Sequence, residues 1–214
     1  MKITLVYDNT AHKPDLVADW GFSCYIELEN TPGILFDTGA NGSILLSNME
    51  KLGIDPAAVD IVVISHAHWD HTGGLLKFLK VNDTARLYLP ASFHSPPLPG
   101  RQVVEVRGSI EVCDNIFSTG ELMGTEQSLV VQTDKGLVVI AGCSHPGVGP
   151  ILKAASRFGT VRALIGGLHG FQEFHLLKDL QWVCACHCTQ HQSEIKEFYP
   201  EKWVDGGAGK VIEV

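Results

Sequence analysis

Apolar residues recur in short runs along the first third of the chain, and turn residues separate these runs. β-Branched and apolar runs bounded in this way predict strands, here over residues 2–7, 22–28 and 34–36. A helix is predicted next, because apolar residues at positions 45, 49 and 52 repeat at helical spacing. Asn41 or Ser43 caps this helix, and Gly53 ends it.

Later in the chain, four apolar runs each end in a short loop that carries a histidine. These predicted strands cover residues 60–65, 137–141, 161–165 and 183–186, and they lead to His66, His145, His169 and His187. Helices are predicted over residues 72–80, from Pro150 to Gly159 and near residues 175–182. Functional groups gather at the carboxyl ends of strands in layered α/β proteins, so we expect the four histidines to meet at one edge.

Length and composition indicate one globular domain over residues 1–214, since 45% of the residues are apolar and 19% are charged. The formal net charge of −8, without a basic block, argues against a nucleic-acid partner. No run approaches the ~20 apolar residues of a membrane span, and the N-terminus lacks a signal core. We therefore expect a cytoplasmic protein with a small-molecule substrate and no membrane partner; the oligomeric state is left open.

The six cysteines are too sparse for a disulfide scaffold, so free thiols are expected. Cys184, Cys186 and Cys188 suggest a thiolate site, but residues i and i+2 of a strand lie about 7 Å apart. Thiolates on one zinc lie under about 5 Å from one another. Strand alternation places the three cysteines on the face opposite His187, where they are predicted to be buried in packing.

The densest cluster of metal-binding side chains is the motif His-Ala-His-Trp-Asp-His, over residues 66–71. Imidazole nitrogens bind a zinc-like ion at about 2.0–2.1 Å, and carboxylate oxygens do so at about 2.0–2.2 Å. In a curved loop, His66 and His68 can point at one ion while Asp70 and His71 turn towards a second. This spacing after a buried strand predicts a metal site.

The motif H-x-H-x-D-H resembles the signature of the metallo-β-lactamase superfamily. Further matches are Phe-Asp-Thr-Gly at 36–39, Gly-Cys-Ser-His at 142–145 and Cys-His-Cys-Thr at 186–189. Segments 8–9, 20–23, 126–129 and 166–169 look like one branch of it. That branch comprises dihydropteroate-synthase-like proteins, including 7,8-dihydropterin-6-methyl-4-(β-D-ribofuranosyl)-aminobenzene-5'-phosphate synthases of methanopterin biosynthesis.

The resemblance implies an α+β (or α/β) fold, a four-layer αββα sandwich with a dinuclear metal site at one edge. By position, the first metal takes His66, His68 and His145, and the second takes Asp70, His71 and His187. Asp37 would orient a ligand histidine through its other ring nitrogen, or it serves turn chemistry in Asp-Thr-Gly.

One position departs from the superfamily pattern, because His169 stands where a bridging aspartate is common. A neutral imidazole has a single lone pair and does not bridge two cations. His169 is therefore either a terminal ligand or a catalytic polar group that faces the substrate. The resemblance favours the second role, since the same branch also carries histidine there. A weaker or exchangeable second metal is expected.

Three neutral histidines and an open position are typical of catalytic zinc sites, where bound water ionises near pH 7. The sequence predicts a hydrolase that uses a metal-bound hydroxide on a small ester, lactone or phosphoester. One or two zinc ions are expected, with manganese or iron as alternatives, and Asp70 would accept a proton while serving as a ligand.

The resemblance also leaves a group-transfer enzyme open, one that joins a pterin to an aminobenzene ribofuranosyl phosphate on the same metal site. A di-iron oxygen-reducing module is disfavoured, because it needs an acid where this chain has His68. A nuclease of the same fold is disfavoured by the acidic charge.

Overall fold

The elements of the fold are short, and the computed structural model describes all 214 residues. The strands are β1 (Lys2–Tyr7), β2 (Ser23–Glu27), β3 (Ile34–Phe36), β4 (Ile61–Val63), β5 (Arg86–Pro90), β6 (Val103–Val106), β7 (Ile110–Cys113), β8 (Ile116–Ser118), β9 (Leu129–Thr133), β10 (Gly136–Ala141), β11 (Val161–Gly167), β12 (Trp182–Cys186) and β13 (Val211–Glu213). The helices are α1 (Gly42–Lys51), α2 (Trp69–Thr72), α3 (Leu75–Phe78), α4 (Val148–Ala155) and α5 (Gln192–Phe198), with 3₁₀ turns at Pro56–Ala58, Ser156–Phe158 and Phe174–Leu177.

The strands form two mixed sheets that pack face to face. One sheet has the order β13-β1-β2-β3-β4-β5-β6, and the other has the order β12-β11-β10-β9-β8-β7. Side chains alternate across each strand, so residues such as Val63, Ile140 and Ile165 fill the core between the sheets. The opposite faces are covered by helices, α1 and α3 on the first sheet and α4 and α5 on the second. The predicted αββα sandwich is confirmed.

Parallel pairing brings the histidine loops to one edge. Strands β10, β11 and β12 are parallel neighbours, so the loops that follow them lie side by side. In the other sheet β3 and β4 are also parallel, and the loop after β4 continues into α2. The four predicted strands that lead to histidines are therefore confirmed, with shifts of a few residues at their ends.

The helix predicted over residues 72–80 is instead two short helices, α2 and α3. The segment begins earlier than predicted, at Trp69, and is interrupted at Gly73 and Gly74. A Cβ atom at residue 73 would lie 2.1 Å from the carbonyl oxygen of Ala40, and one at residue 74 would lie 2.1 Å from that of Thr38. Glycine at both positions thus lets this segment pack against the loop that follows β3.

Two further helix predictions need correction. The helix predicted near residues 175–182 is only the 3₁₀ turn Phe174–Leu177, because β12 already begins at Trp182. The helix predicted from Pro150 begins at Val148, which places Pro150 in the first turn, where its missing N–H has no helical partner to lose. None of the helices is long and apolar enough to span a bilayer.

Candidate metal centre

Three histidine nitrogens from two loops form a nearly equilateral triangle. His66 Nε2 lies 3.1 Å from His68 Nδ1. His145 Nε2 lies 3.2 Å from His66 Nε2 and 3.1 Å from His68 Nδ1. A tetrahedral ion with bonds of 2.0–2.1 Å places its nitrogens roughly 3.3 Å apart. We refer to these three residues as the first ligand set, because their spacing fits one zinc-like ion.

The ionisation of these histidines also suits a cation. Burial, followed by the charges of neighbouring histidines, lowers the pKa of His145 to about 4. The same causes lower the pKa of His66, which is more deeply buried. Both imidazoles are therefore neutral near pH 7 and have lone pairs to offer, the form in which histidine binds a metal.

The second ligand set consists of Asp70, His71 and His187, all of them buried. His71 Nε2 lies 3.2 Å from His187 Nε2. Asp70 Oδ2 lies 3.4 Å from His187 Nε2 and 3.9 Å from His71 Nε2. Burial alone would raise the pKa of Asp70, but the hydrogen bond with His187 and the charges of both histidines outweigh it and lower the pKa. An ionised carboxylate beside two imidazoles is a suitable donor set for a second cation.

A single buried carboxylate orients one histidine of each set. Asp37 Oδ2 accepts hydrogen bonds from His71 Nδ1 and from Ser65 Oγ, both at 2.7 Å. Ser65 Oγ in turn lies 2.8 Å from His66 Nδ1. Burial raises the pKa of Asp37 to about 8, and a cation beside His71 would favour the ionised form. Asp37 also has a φ of +58°, so it combines the orienting role with the turn role.

The second set has additional partners from the loop between β1 and β2. Asn9 Oδ1 lies 3.0 Å from His187 Nδ1, and Asn9 Nδ2 donates to the carbonyl oxygen of His187 at 3.0 Å. Trp20 Nε1 donates to Asp70 Oδ2 at 2.9 Å. These partners leave His187 Nε2 free to face the cation site. Asn9 and Trp20 belong to segments 8–9 and 20–23, which resemble one branch of the superfamily, but the sequence alone predicts no role for either residue.

Glu126 holds the loop that presents His145. Its Oε1 accepts hydrogen bonds from the backbone N–H groups of Gly142, Cys143 and Ser144 at 2.9–3.1 Å, and its Oε2 accepts one from His145 N at 2.9 Å. Burial raises the pKa of Glu126 to about 7. Four donors on one carboxylate keep this loop rigid, a role that sequence reasoning missed, since the residue lies far from the loop in the chain.

The first set opens onto a cleft of about 460 Å³. Its lining residues are His66, Ala67, His68, Ser92, Gly124, Thr125 and His145. Exposed apolar side chains occur nearby in sequence, since Trp69 follows His68 and Met123 precedes Gly124. Within the first set, His68 and His145 are exposed to solvent, so a ligand can reach it.

A sequence model of the metallo-beta-lactamase superfamily matches residues 21–154. The chain belongs to this superfamily. A 7,8-dihydropterin-6-methyl-4-(beta-D-ribofuranosyl)-aminobenzene-5'-phosphate synthase of Methanocaldococcus jannaschii is 28% identical to it, across 98% of this chain and 95% of that protein. The resemblance to the superfamily and to this branch is confirmed.

Solved structures support the same assignment. A crystal structure described as a metal-dependent hydrolase of the beta-lactamase superfamily has a TM-score of 0.81 and 26% identity, covering 100% of this chain and 99% of that one. The metallo-beta-lactamase fold protein YhfI from Bacillus subtilis has a TM-score of 0.71 at 14% identity, covering 100% and 99% of the two chains. The second likeness concerns the fold alone.

His169 lies beside the first set. Its ring centroid is 4.9 Å from that of His145, and a ring nitrogen lies within 4.8 Å of donor atoms of His145 and Cys143. Its φ of +48° is unusual for a residue other than glycine, and it is exposed to solvent. The structure thus brings His169 to the site together with all six residues of the two sets.

The cysteines differ in part from the prediction. Cys184 and Cys186 do lie in the core between the sheets. Cys188 lies past the end of β12, where its Sγ is within 4.8 Å of donor atoms of His187 and Cys143, so its predicted position on the opposite face is wrong. Cys143, which sequence reasoning noted only as part of a motif, has its Sγ 3.2 Å from His71 Nε2.

Proposed function

We propose that this chain is a metal-dependent hydrolase that acts on a small ester, lactone or phosphoester. The observation that carries the proposal is the first ligand set, whose three nitrogens lie 3.1–3.2 Å apart and whose residues line a cleft. Three histidines with an open side are typical of catalytic rather than structural metal sites. Membership of the metallo-beta-lactamase superfamily supports the same reaction class.

His66, His68 and His145 would hold the first cation, and Asp70, His71 and His187 would hold the second. Zinc is the ion we propose, in one or two copies, because imidazole and carboxylate donors at these spacings suit it; manganese and iron are the alternatives. A cation in the first set would activate a water molecule near neutral pH and polarise the substrate oxygen.

Proton transfer is assigned to the chain's own side chains. Asp70 has a lowered pKa and its Oδ2 already accepts from Trp20, which supports a ligand role and makes it a weak base. His169 is exposed and lies beside His145. We propose that His169, rather than Asp70, exchanges the proton with the substrate or the attacking water.

A small molecule is the substrate we propose. The cleft of about 460 Å³ falls within the usual size of small-ligand sites. The formal net charge of −8 disfavours a polyanion such as a nucleic acid.

A pterin-related group transfer is the second candidate function, because the relative from Methanocaldococcus jannaschii is a synthase of a dihydropterin compound. That relative matches the chain over nearly its whole length, which favours a shared substrate class. The same metal centre would serve either reaction, so the two candidates differ in the acceptor, which is water in one and an organic molecule in the other.

Elemental analysis of the purified protein, followed by a substrate screen, tests both candidates. We expect one to two transition-metal ions per chain and activity on at least one phosphoester, lactone, thioester or pterin precursor. His68→Ala should abolish that activity, whereas His12→Ala, at an exposed histidine outside the site, should preserve it. A protein without metal whose activity zinc, manganese and iron all fail to restore would contradict the proposal. Product formation only with an organic acceptor would favour the transferase.

A further inference from the structure

The donor atoms of the two ligand sets carry little negative charge. Asp70 is the single carboxylate among the clustered donors. The resemblance to the superfamily places His169 where a bridging aspartate is common, and an imidazole offers a metal one lone pair and no negative charge. Two divalent cations placed side by side would therefore have Asp70 as their single anionic donor, with no carboxylate shared between them. The structure offers a candidate within the same cluster.

That candidate is the thiol of Cys143, which is almost completely buried. Its Sγ lies 3.2 Å from His71 Nε2. It is also within 4.8 Å of donor atoms from both sets, His66 and His145 in the first and His187 in the second. Cys143 belongs to three of the five donor clusters of the chain, more than any other residue.

The distance to His71 suits two ligands of one ion. A thiolate binds zinc at about 2.3 Å and an imidazole nitrogen binds it at about 2.0–2.1 Å, so the two donors lie roughly 3.5 Å apart. His71 Nδ1 is committed to Asp37 at 2.7 Å. Its Nε2 therefore presents a lone pair towards the same point that Sγ faces.

The backbone around Cys143 is held in place. Glu126 Oε1 accepts a hydrogen bond from Cys143 N at 3.0 Å, and it also accepts hydrogen bonds from the backbone N–H groups of Gly142 and Ser144. Gly142 allows close approach to the loop after β4, since a Cβ atom there would lie 2.2 Å from Ser65 Oγ. The thiol position is thus set by two loops and not by a flexible segment.

The neighbouring thiol of Cys188 is less suited to the role. The Cys188 thiol donates a hydrogen bond to the carbonyl oxygen of Cys143, with Sγ 3.9 Å from that oxygen. Cys188 Sγ also packs against Gly167, where an added Cβ atom would lie 2.5 Å from the sulfur. It belongs to only one donor cluster.

We propose that Cys143 is a thiolate ligand of the second cation, in place of the missing bridging carboxylate. This assignment rests on the proposed metal centre. The thiol would lose its proton when the cation binds, as coordinating thiols do.

Cobalt(II) added to the metal-depleted protein tests the ligand directly. Histidine ligands give visible d–d absorption, whereas a thiolate ligand adds a charge-transfer band in the near ultraviolet. We expect both features in the unaltered protein, with the charge-transfer band growing as the second equivalent binds. Cys143→Ser should remove that band and weaken binding of the second equivalent at least about tenfold, while the d–d absorption of the first equivalent remains.

Two matched variants serve as controls. Cys188→Ser changes the adjacent thiol, and Cys113→Ser changes a half-buried thiol at the end of β7; both should keep the band. Loss of the band in Cys188→Ser, or its persistence in Cys143→Ser, would overturn the assignment. So would an unaltered protein that binds two equivalents with d–d absorption alone, which would leave the proposed function intact. A protein that binds no cobalt would contradict the metal centre and the thiolate together.

Discussion

The two ligand sets lie next to each other yet differ in exposure and support. In the first set, His68 and His145 are exposed and line a cleft. In the second set, all three residues are buried, and Asp37, Asn9 and Trp20 each contact one of them. The comparison indicates a division of labour, with the first set placed where a substrate can reach it and the second set held in position before any ligand arrives.

The elements that carry the donors account for part of this difference in exposure. Asp70 and His71 lie in α2, packed through residues 73–74 against the loop after β3. His68 directly precedes this helix, and His145 lies in the loop after β10. Helix packing buries Asp70 and His71, whereas His68 and His145 lie in segments open to solvent; His66 and His187 also follow strands but are buried.

The largest effect is expected for His68→Ala, which removes one donor of the first set. Turnover should fall by about 10³ or more, because the cation contributes several kcal/mol of transition-state stabilisation. The fold should survive, since His68 is exposed. Steady-state kinetics with metal analysis would check this, against His12→Ala as the control. Near-full turnover would place the reactive cation elsewhere.

Next in size is His169→Ala, which tests whether the first set works with a proton-transfer group. We expect turnover to fall by about 10²–10⁴, the range for a positioned acid or base, with both cations retained. Measurement of kcat, KM and metal content would separate this result from ligand loss. Unchanged kinetics would make His169 a structural residue of its turn, as its φ of +48° permits.

The orienting residues should affect the two sets differently. Asp37→Asn disturbs His71 directly and His66 through Ser65, so both cations should bind about 10–100-fold more weakly. Asn9→Ala removes hydrogen bonds to His187 and to the backbone N–H of Gly21 but none to the first set, so only binding of the second cation should weaken. Competition with a chromophoric chelator measures both affinities. Equal weakening of both cations by Asn9→Ala would contradict the separation between the sets.

The smallest expected effect is the dependence of metal binding on pH. Because burial lowers the pKa of His145 to about 4 and also lowers that of His66, these ligands stay neutral where an ordinary imidazole, of pKa about 6.5, takes up a proton. Metal content after dialysis should hold from about pH 7 to about pH 5.5 and fall as the pH passes through about 4. Metal loss beginning near pH 6.5 would show ordinary, unburied ligands.

The histidines that cluster at the site and most strands could be predicted from the sequence because the signals are local. A predicted strand of four to six residues leading to His66, His145 or His187 is visible in the chain itself. The spacing H-x-H-x-D-H also depends on neighbouring residues alone. The confirmed αββα arrangement was implied by the superfamily resemblance that these motifs carry.

The orienting and supporting residues depend on contacts between distant segments. Glu126 supports residues 142–145 from another loop, and Asn9 lies 178 positions from its partner His187. No periodicity links such pairs, because their proximity arises only when the two sheets pack. The same packing gives the cysteines different surroundings. It places Cys143 among six clustered donor residues, whereas Cys184 is enclosed in the core between the sheets.

Local chemistry and spacing along the chain thus determined the metal-binding character of this protein and the loops that carry it. Tertiary packing determined which residues of the two sets are open and which are buried, what orients them, and which thiol lies beside them. The physical reason is that burial, pKa and hydrogen-bond partners depend on neighbours in space, and those neighbours come from loops far apart in sequence.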